Sequence, residues 1–371
     1  MEEQINLRKT ANKISEEESK SDDEFIDELI QKGYVDENEV DRESKTITIE
    51  DTVISYEINS KFTDIYVALY SDGTLVFSNN DEFTPADGVE IKEEYGNIRG
   101  KKYDPLDKDN VVPWKKSKID ITSINIINEI VPSNVNAWFN ELHDVERIDN
   151  IKNLNTSEVT DMSHMFELFG TEDINLDLST LNTSNVTNMS KMFLHTSANI
   201  INVSGFDTSK VTDMSWMFAG TLYAPTKRND IIGLNNFNTS NVTTMENMFA
   251  NTYGFTSLDL SSFDTSNVTN MSSMFGASSY EECNWDIKNL DLRNFNTSKV
   301  TNMRSMFTEN EKLENLYINF DTSNVTDMTY MFYNCGSLTK FDCSKWNVDK
   351  VEKHNDFNYY ASGVIAPNFK K

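Results

Sequence analysis

The stretch Phe263-Asp-Thr-Ser-Asn-Val-Thr-Asn-Met-Ser-Ser-Met-Phe275 returns, with small changes, along the C-terminal two thirds of the chain, and no other feature limits the possible folds so tightly. In register on its valine it recurs at Val159, Val186, Val211, Val242, Val268, Val300 and Val325, with a degenerate copy at Val351. The steps are 27, 25, 31, 26, 32, 25 and 26 residues. A period in the mid-twenties predicts a solenoid: one unit cannot bury its own apolar side, but stacked units share a continuous core and need atypical ends.

Within each unit, two apolar residues one position apart come first: Leu176/Leu178, Ile201/Val203, Ile232/Leu234, Leu258/Leu260, Leu290/Leu292, Leu316/Ile318 and Phe341/Cys343. That alternation puts both on one face of a short strand. A Thr-Ser or similar pair then precedes Val-x-x-Met-x-x-Met-Phe, whose apolar positions at i, i+3, i+6 and i+7 predict a short helix, with Ser and Thr hydroxyls capping its first amides. Of the 15 methionines, 14 fall two per unit on this stripe. A copper-binding or oxidation-sensing array would use methionine too, but a following Phe in every unit favours core filling.

The run F-D-T-S-N-V-T-(D/N)-M-S-x-M-F, with Leu-Asp-Leu-Ser ahead of it and Asn334-Cys-Gly-Ser-Leu338 after one copy, resembles the BspA-like leucine-rich-repeat family of microbial surface proteins over about residues 138 to 357. The resemblance implies an α/β repeat, a right-handed leucine-rich-repeat solenoid, in a non-enzymatic protein used for adhesion or partner binding. It implies no particular ligand.

Taken in order, residues 1–43 form an acidic arm, disordered or docking, with Phe25, Ile26, Leu29 and Ile30 as its apolar side. Residues 44–105 alternate with period two, and Ser71-Asp72-Gly73 marks a hairpin, so a small antiparallel β domain is expected there. Residues 106–157 read as a lead-in and N-terminal capping repeat carrying Trp138, Phe139 and Leu142. Repeats fill 158–350. In the C-terminal cap, 351–371, the aromatics of Phe357-Asn-Tyr-Tyr360 are expected to fold over the last coil.

The net charge is -27, and the first 100 residues supply -16 of it from 26 acidic and 10 basic residues. Such a field repels phosphate backbones and argues against nucleic acid. Cys335 and Cys343 read as buried thiols and Cys283, in an insertion, as the exposed one. His143, His164, His195 and His354 have no ligand spacing, so no metal set is expected. No apolar run is long enough to span a membrane. The N-terminus lacks the apolar core of a signal peptide. The resemblance implies a cell-surface or extracellular location, and the alternative is a virion-associated protein, such as a phage tail-fibre or baseplate component attached through the N-terminal arm. A purely structural spacer is the third reading.

No nucleophile elbow, phosphate loop, zinc signature or calcium loop occurs, and the repeated Asp-Thr-Ser is better explained by capping than by hydrolysis, so an enzyme is not expected and no cofactor is implied. Candidate surfaces lie where the units differ. Between the strand core positions stand Asp177, Asn202, Gly233, Asp259, Asp291, Tyr317 and Asp342, about 5 Å apart from strand to strand. Asp177, Asp259 and Asp291 on this stripe are candidates for a cation such as calcium, or for a basic partner. Between the methionines stand His164, Lys191, Trp216, Asn247, Ser273, Ser305 and Tyr330, with Trp216 and Tyr330 the candidates for contact. The two long steps place insertions at about 219–231 and 276–289, bringing Tyr223, Lys227, Arg228, Tyr280 and Trp285 to matching places two units apart, for a protein or surface-glycan receptor.

Overall fold

In the computed structural model of the protein the described residues are 62–220, 230–252, 257–277 and 287–370, preceded by 27, 30, 31, 40–41, 46–49 and 52–55. Most of the expected acidic arm, including Phe25, Ile26 and Leu29, therefore lies outside them. Strands β1 (Val40–Asp41), β2 (Thr46–Ile49) and β3 (Thr52–Ser55) make an antiparallel sheet of their own.

The hairpin appears where Ser71-Asp72-Gly73 predicts it, between β4 (Tyr66–Tyr70) and β5 (Thr74–Ser78). Gly73 has φ +86°, and a Cβ there would stand 2.7 Å from the Thr122 hydroxyl oxygen, so the turn requires glycine on both counts. β6 (Ile91–Asn97), which the alternation missed because its exposure follows charge rather than period two, pairs antiparallel with β4. A separate antiparallel domain ending near residue 105 does not form from residues 62–105. β7 (Ser123–Ile126) pairs parallel with β5, and β8 (Arg147–Asp149) parallel with β7, giving one mixed sheet in the order β6-β4-β5-β7-β8. On one face Val67, Leu69, Leu75, Phe77, Ile124 and Ile126 belong to the same core cluster as Met271 and Val364, while Ala68, Tyr70 and Val76 form a small cluster of their own.

From there the chain winds as a β-solenoid. Short parallel strands line one wall: β9 (Asn175–Asp177), β10 (Ile200–Asn202) and β11 (Asp230–Ile232), then β12 (Asn289–Leu292) with β13 (Asn315–Ile318), and β14 (Phe341–Asp342) with β15 (Val364–Ile365). On a second wall eight residues, one per coil, bridge in parallel from Asp161 through Asn188, Asp213, Thr244, Asn270, Asn302 and Asp327 to Lys353.

The Val-x-x-Met-x-x-Met-Phe segments are core but not helical. All 14 methionines are fully buried, and so are Val159 to Val325 and the Phe after each methionine pair. In the coil of Val186 the amides of Met189, Lys191, Phe193 and His195 donate to Asp213, Ser215, Met217 and Ala219 of the next coil, at 2.9–3.0 Å. The alternate amides of Met192, Leu194 and Thr196 close i+3→i turns onto Met189, Lys191 and Phe193. Successive turns bring the chain inward at i, i+3 and i+4, the spacing of a helix face, which is why the pattern reads as helix. Inside, Phe166, Phe193, Phe218, Phe249, Phe275, Phe307 and Phe332 stack in one column, centroids 5.3–6.0 Å apart and planes within 9°.

The Asp-Thr-Ser motif divides its work differently from the capping first expected. The Asp or Asn side chain accepts the amide of the Ser two residues on, as Asp264 does from Ser266 at 2.9 Å. The Thr hydroxyl donates to the Asp or Asn carbonyl of the next coil, in an unbroken series from Thr156 through Thr183, Thr208, Thr239, Thr265 and Thr297 to Thr322. These threonines are at most 3% exposed.

One strand register needs correction. Ile231, not Ile232, pairs with Ile201 and is buried, whereas Ile232 is 41% exposed. Gly233 adds a residue at φ +97° before Leu234 returns to the core, packed so closely on Ser204 that a Cβ would sit 2.3 Å from its Cα. The end of the chain also differs from a folded-over lid: Lys353, Phe357 and Val364 continue the ladder as another coil. Only then does Phe369 pack, stacking on His354 at 4.2 Å.

Candidate binding surface on the turn face

Each of these coils turns through a residue with positive φ at the position between the methionines: His164, Lys191, Trp216, Asn247, Ser273, Ser305 and Tyr330 have φ between 51° and 60°. Trp216 and Tyr330, the two candidates from this set, thus project from the turn face. Four residues later a second positive φ follows at Leu168, His195, Asn251, Glu309 and Asn334, and Asp356 with Tyr360 repeats the pair in the last coil, whereas Gly220 and Ala277, where the insertions leave, lack it. Among the described residues, none of the 17 non-glycine residues with positive φ is β-branched, consistent with the steric cost of that region.

Trp216 is half-buried against Leu194, Ala219 and Ala250, a small apolar strip outside the main core. Both insertions leave from this edge. The amides of Gly220 and Ala277 bond Ala250 and Thr308 at 2.9 and 2.8 Å, as His195 bonds Ala219, so the two departures are equivalent places two coils apart. Tyr223, Lys227, Arg228, Tyr280, Trp285 and Cys283, beyond those departures, lie outside the described residues.

Tyr330 belongs to an aromatic group that the sequence did not assemble. Its ring meets Tyr333 edge-on at 5.6 Å, Tyr333 stacks with Tyr359 at 5.8 Å, and Tyr359 meets Tyr360 at 4.2 Å. Arg304 places its guanidinium over the Tyr330 ring at 5.6 Å. Tyr359 and Tyr360, expected as a lid, are 50% and 66% exposed. The inward places of these coils belong to Phe332 and Phe357, 0% and 3% exposed. Beside the rings, the Asn334 side-chain amide donates to both Glu309 and Glu311 at 2.6 Å. Partial desolvation, and after it the neighbouring carboxylates of Glu309 and Asp356, raise the Tyr333 hydroxyl pKa. The only sequence signal was the Tyr-Tyr pair itself.

On the strand wall Asp177 and Asp291 are exposed, and the carboxylates of Asp177, Asp259 and Asp291 are engaged locally. Asp177 accepts from the Ser179 amide and from Asn202, Asp259 from the Ser261 amide, and Asp291 from the Arg293 guanidinium. The hydrogen bonds from Ser261 and Arg293 lower the pKa of Asp259 and Asp291. The register places Asn202 and then Ile232 beside Asp177, and Tyr317 beside Asp291. Among the described residues no three His, Cys, Asp or Glu side chains are placed to hold a metal ion. The stripe therefore does not gather Asp177, Asp259 and Asp291 into one site. The two described cysteines are buried, and burial pushes the Cys335 thiol up to about 12. No described helix is long and apolar enough to cross a membrane.

Compared with known proteins, residues 133–230, 223–291 and 277–366 match a family described as "Mycoplasma protein of unknown function, DUF285". No curated protein matches the chain. Among solved structures, a leucine-rich repeat protein from Eubacterium ventriosum ATCC 27560 is similar over 83% of this chain and 95% of its own, at 15% identity and a TM-score of 0.24.

Proposed function

This chain belongs to the DUF285 family, and from that footing we propose that it is a non-enzymatic, adhesion-type binding protein that engages a receptor at a cell surface through the turn face of its solenoid. One observation carries the reading. Inward positions repeat the same residue types from coil to coil, whereas the turn face carries His164, Lys191, Trp216, Asn247, Ser273, Ser305 and Tyr330 in equivalent places and releases both insertions from one edge. At these positions the backbone amide keeps the ladder while the side chain stays out of the main core, so residue type can vary without unfolding the array, and such faces are where repeat proteins bind.

The test uses serine, which already stands at the equivalent positions 273 and 305. Trp216→Ser with Tyr330→Ser should leave the melting temperature within a few degrees of wild type and weaken attachment of the labelled protein to host-cell surfaces by about tenfold or more, since aromatic anchors dominate interface energetics. Wild-type attachment by the double variant would contradict the assignment of the turn face.

A further inference from the structure

We propose that the tyrosine and carboxylate patch at the C-terminal end of the turn face docks an arginine-bearing segment of a basic partner protein. This rests on the binding reading above and names the partner's chemistry. Four rings, Tyr330, Tyr333, Tyr359 and Tyr360, come from two adjacent coils into mutual contact at 4.2–5.8 Å, with Tyr359 and Tyr360 largely in solvent. The core does not need them. Phe332 and Phe357 already fill the inward places of the same coils and meet each other at 5.4 Å.

Three acidic groups stand at this end of the face: Glu309 and Asp356 act on the Tyr333 hydroxyl, and Glu311 shares the Asn334 amide with Glu309. Ring faces with carboxylates at their rim suit a guanidinium, which can stack on the ring and reach the carboxylate with its planar donors. The molecule already shows that geometry in full at Arg293 and its stacking half at Arg304. Arg304 lies over Tyr330 at 5.6 Å, and on the strand wall Arg293 lies over Tyr317 at 5.5 Å while bonding Asp291. A second copy of the chain is a poor occupant, because both would bring a net charge of -27. The same charge steers a basic partner inward and favours its encounter.

The experiment uses the full chain and two octapeptides, one of arginine and one of lysine, with binding read by fluorescence anisotropy at physiological salt. A Tyr359→Ser/Tyr360→Ser variant keeps the net charge, so loss of nonspecific attraction cannot explain its behaviour. Wild type should prefer the arginine peptide, and the variant should lose that preference with about tenfold weaker arginine-peptide binding, the equivalent of 1.4 kcal/mol. Unchanged melting would accompany this. Equal affinity of wild type and variant for the arginine peptide would overturn the proposal. So would a variant that loses binding to a glycan array while keeping its arginine-peptide affinity. Failure of the wild type to attach to host cells would instead sink the adhesion reading and leave the peptide comparison standing.

Discussion

Lys191 carries a lysine side chain on a backbone of φ 57° because its amide must reach Ser215 in the next coil while Met192 turns back onto Met189. For a residue with a Cβ that region costs roughly 1–2 kcal/mol, and for a β-branched one more. Lys191→Val should therefore lower stability by about 1–3 kcal/mol in urea unfolding, while Lys191→Gly should be neutral or slightly stabilising. Equal losses in both would mean that the turn is not left-handed there. At the neighbouring scale of a single hydrogen bond, Thr265→Val removes the buried hydroxyl that donates to the Asn296 carbonyl of the next coil. A loss of about 1–3 kcal/mol is expected; no loss would mean the threonine series contributes packing alone. Residue identities of this kind were legible from the sequence where they repeat: Val268, Met271, Met274 and Phe275 were expected in the core and are fully buried. What could not be read was the sign of φ at Lys191 or Trp216, because lysine and tryptophan carry no local signal for it, as glycine does at Gly73.

The unit of the wall is a coil of short strand, Asx turn and tight double turn, and its helix-like apolar spacing arises without an i→i−4 bond in the coil of Val186. Periodicity reports which residues face inward, not which backbone path takes them there, so the stripe was right and the helix was not. The slip at Ile232 has the same origin, since Gly233 lengthens one strand exit by a residue and two adjacent isoleucines fit the alternation equally well. The tyrosine patch stayed hidden because Tyr333 and Tyr359 meet only after the coil has returned. Acid should act on these elements in a defined direction. Hydrogen bonds from Ser209, Ser266 and Ser323 lower the pKa of Asp207, Asp264 and Asp321 below the ordinary 3.8. A lowered folded pKa contributes stability that is present above 3.8 and is lost as pH falls through the folded values. Replacing all three by Asn, the residue already at positions 182, 238 and 296, should flatten the acid side of the stability profile while leaving neutral-pH melting nearly unchanged. Parallel profiles for the two proteins would contradict that source of acid sensitivity.

From residue 62 on, the described residues form a one-dimensional stack: each coil bonds its neighbours, one buried phenylalanine column runs through it, the mixed sheet from β6 to β8 lies at one end and Phe369 at the other. Stability in such an array is close to a sum over coils and coil-to-coil interfaces, so a coil is removable where a half coil is not. Val186 and Val211 are equivalent, 25 residues apart, and the coil between them carries neither insertion and none of the four tyrosines. Deleting residues 186–210 should rejoin Val159's coil to Val211's in register. Deleting 186–197 should misplace every inward side chain at the junction. Urea unfolding of the two deletion proteins beside wild type is the most direct measurement. The solenoid predicts a cooperative transition and retained arginine-peptide binding for the 25-residue deletion, with collapse of the transition for the shorter one; loss of cooperative folding in the whole-coil deletion would contradict the account.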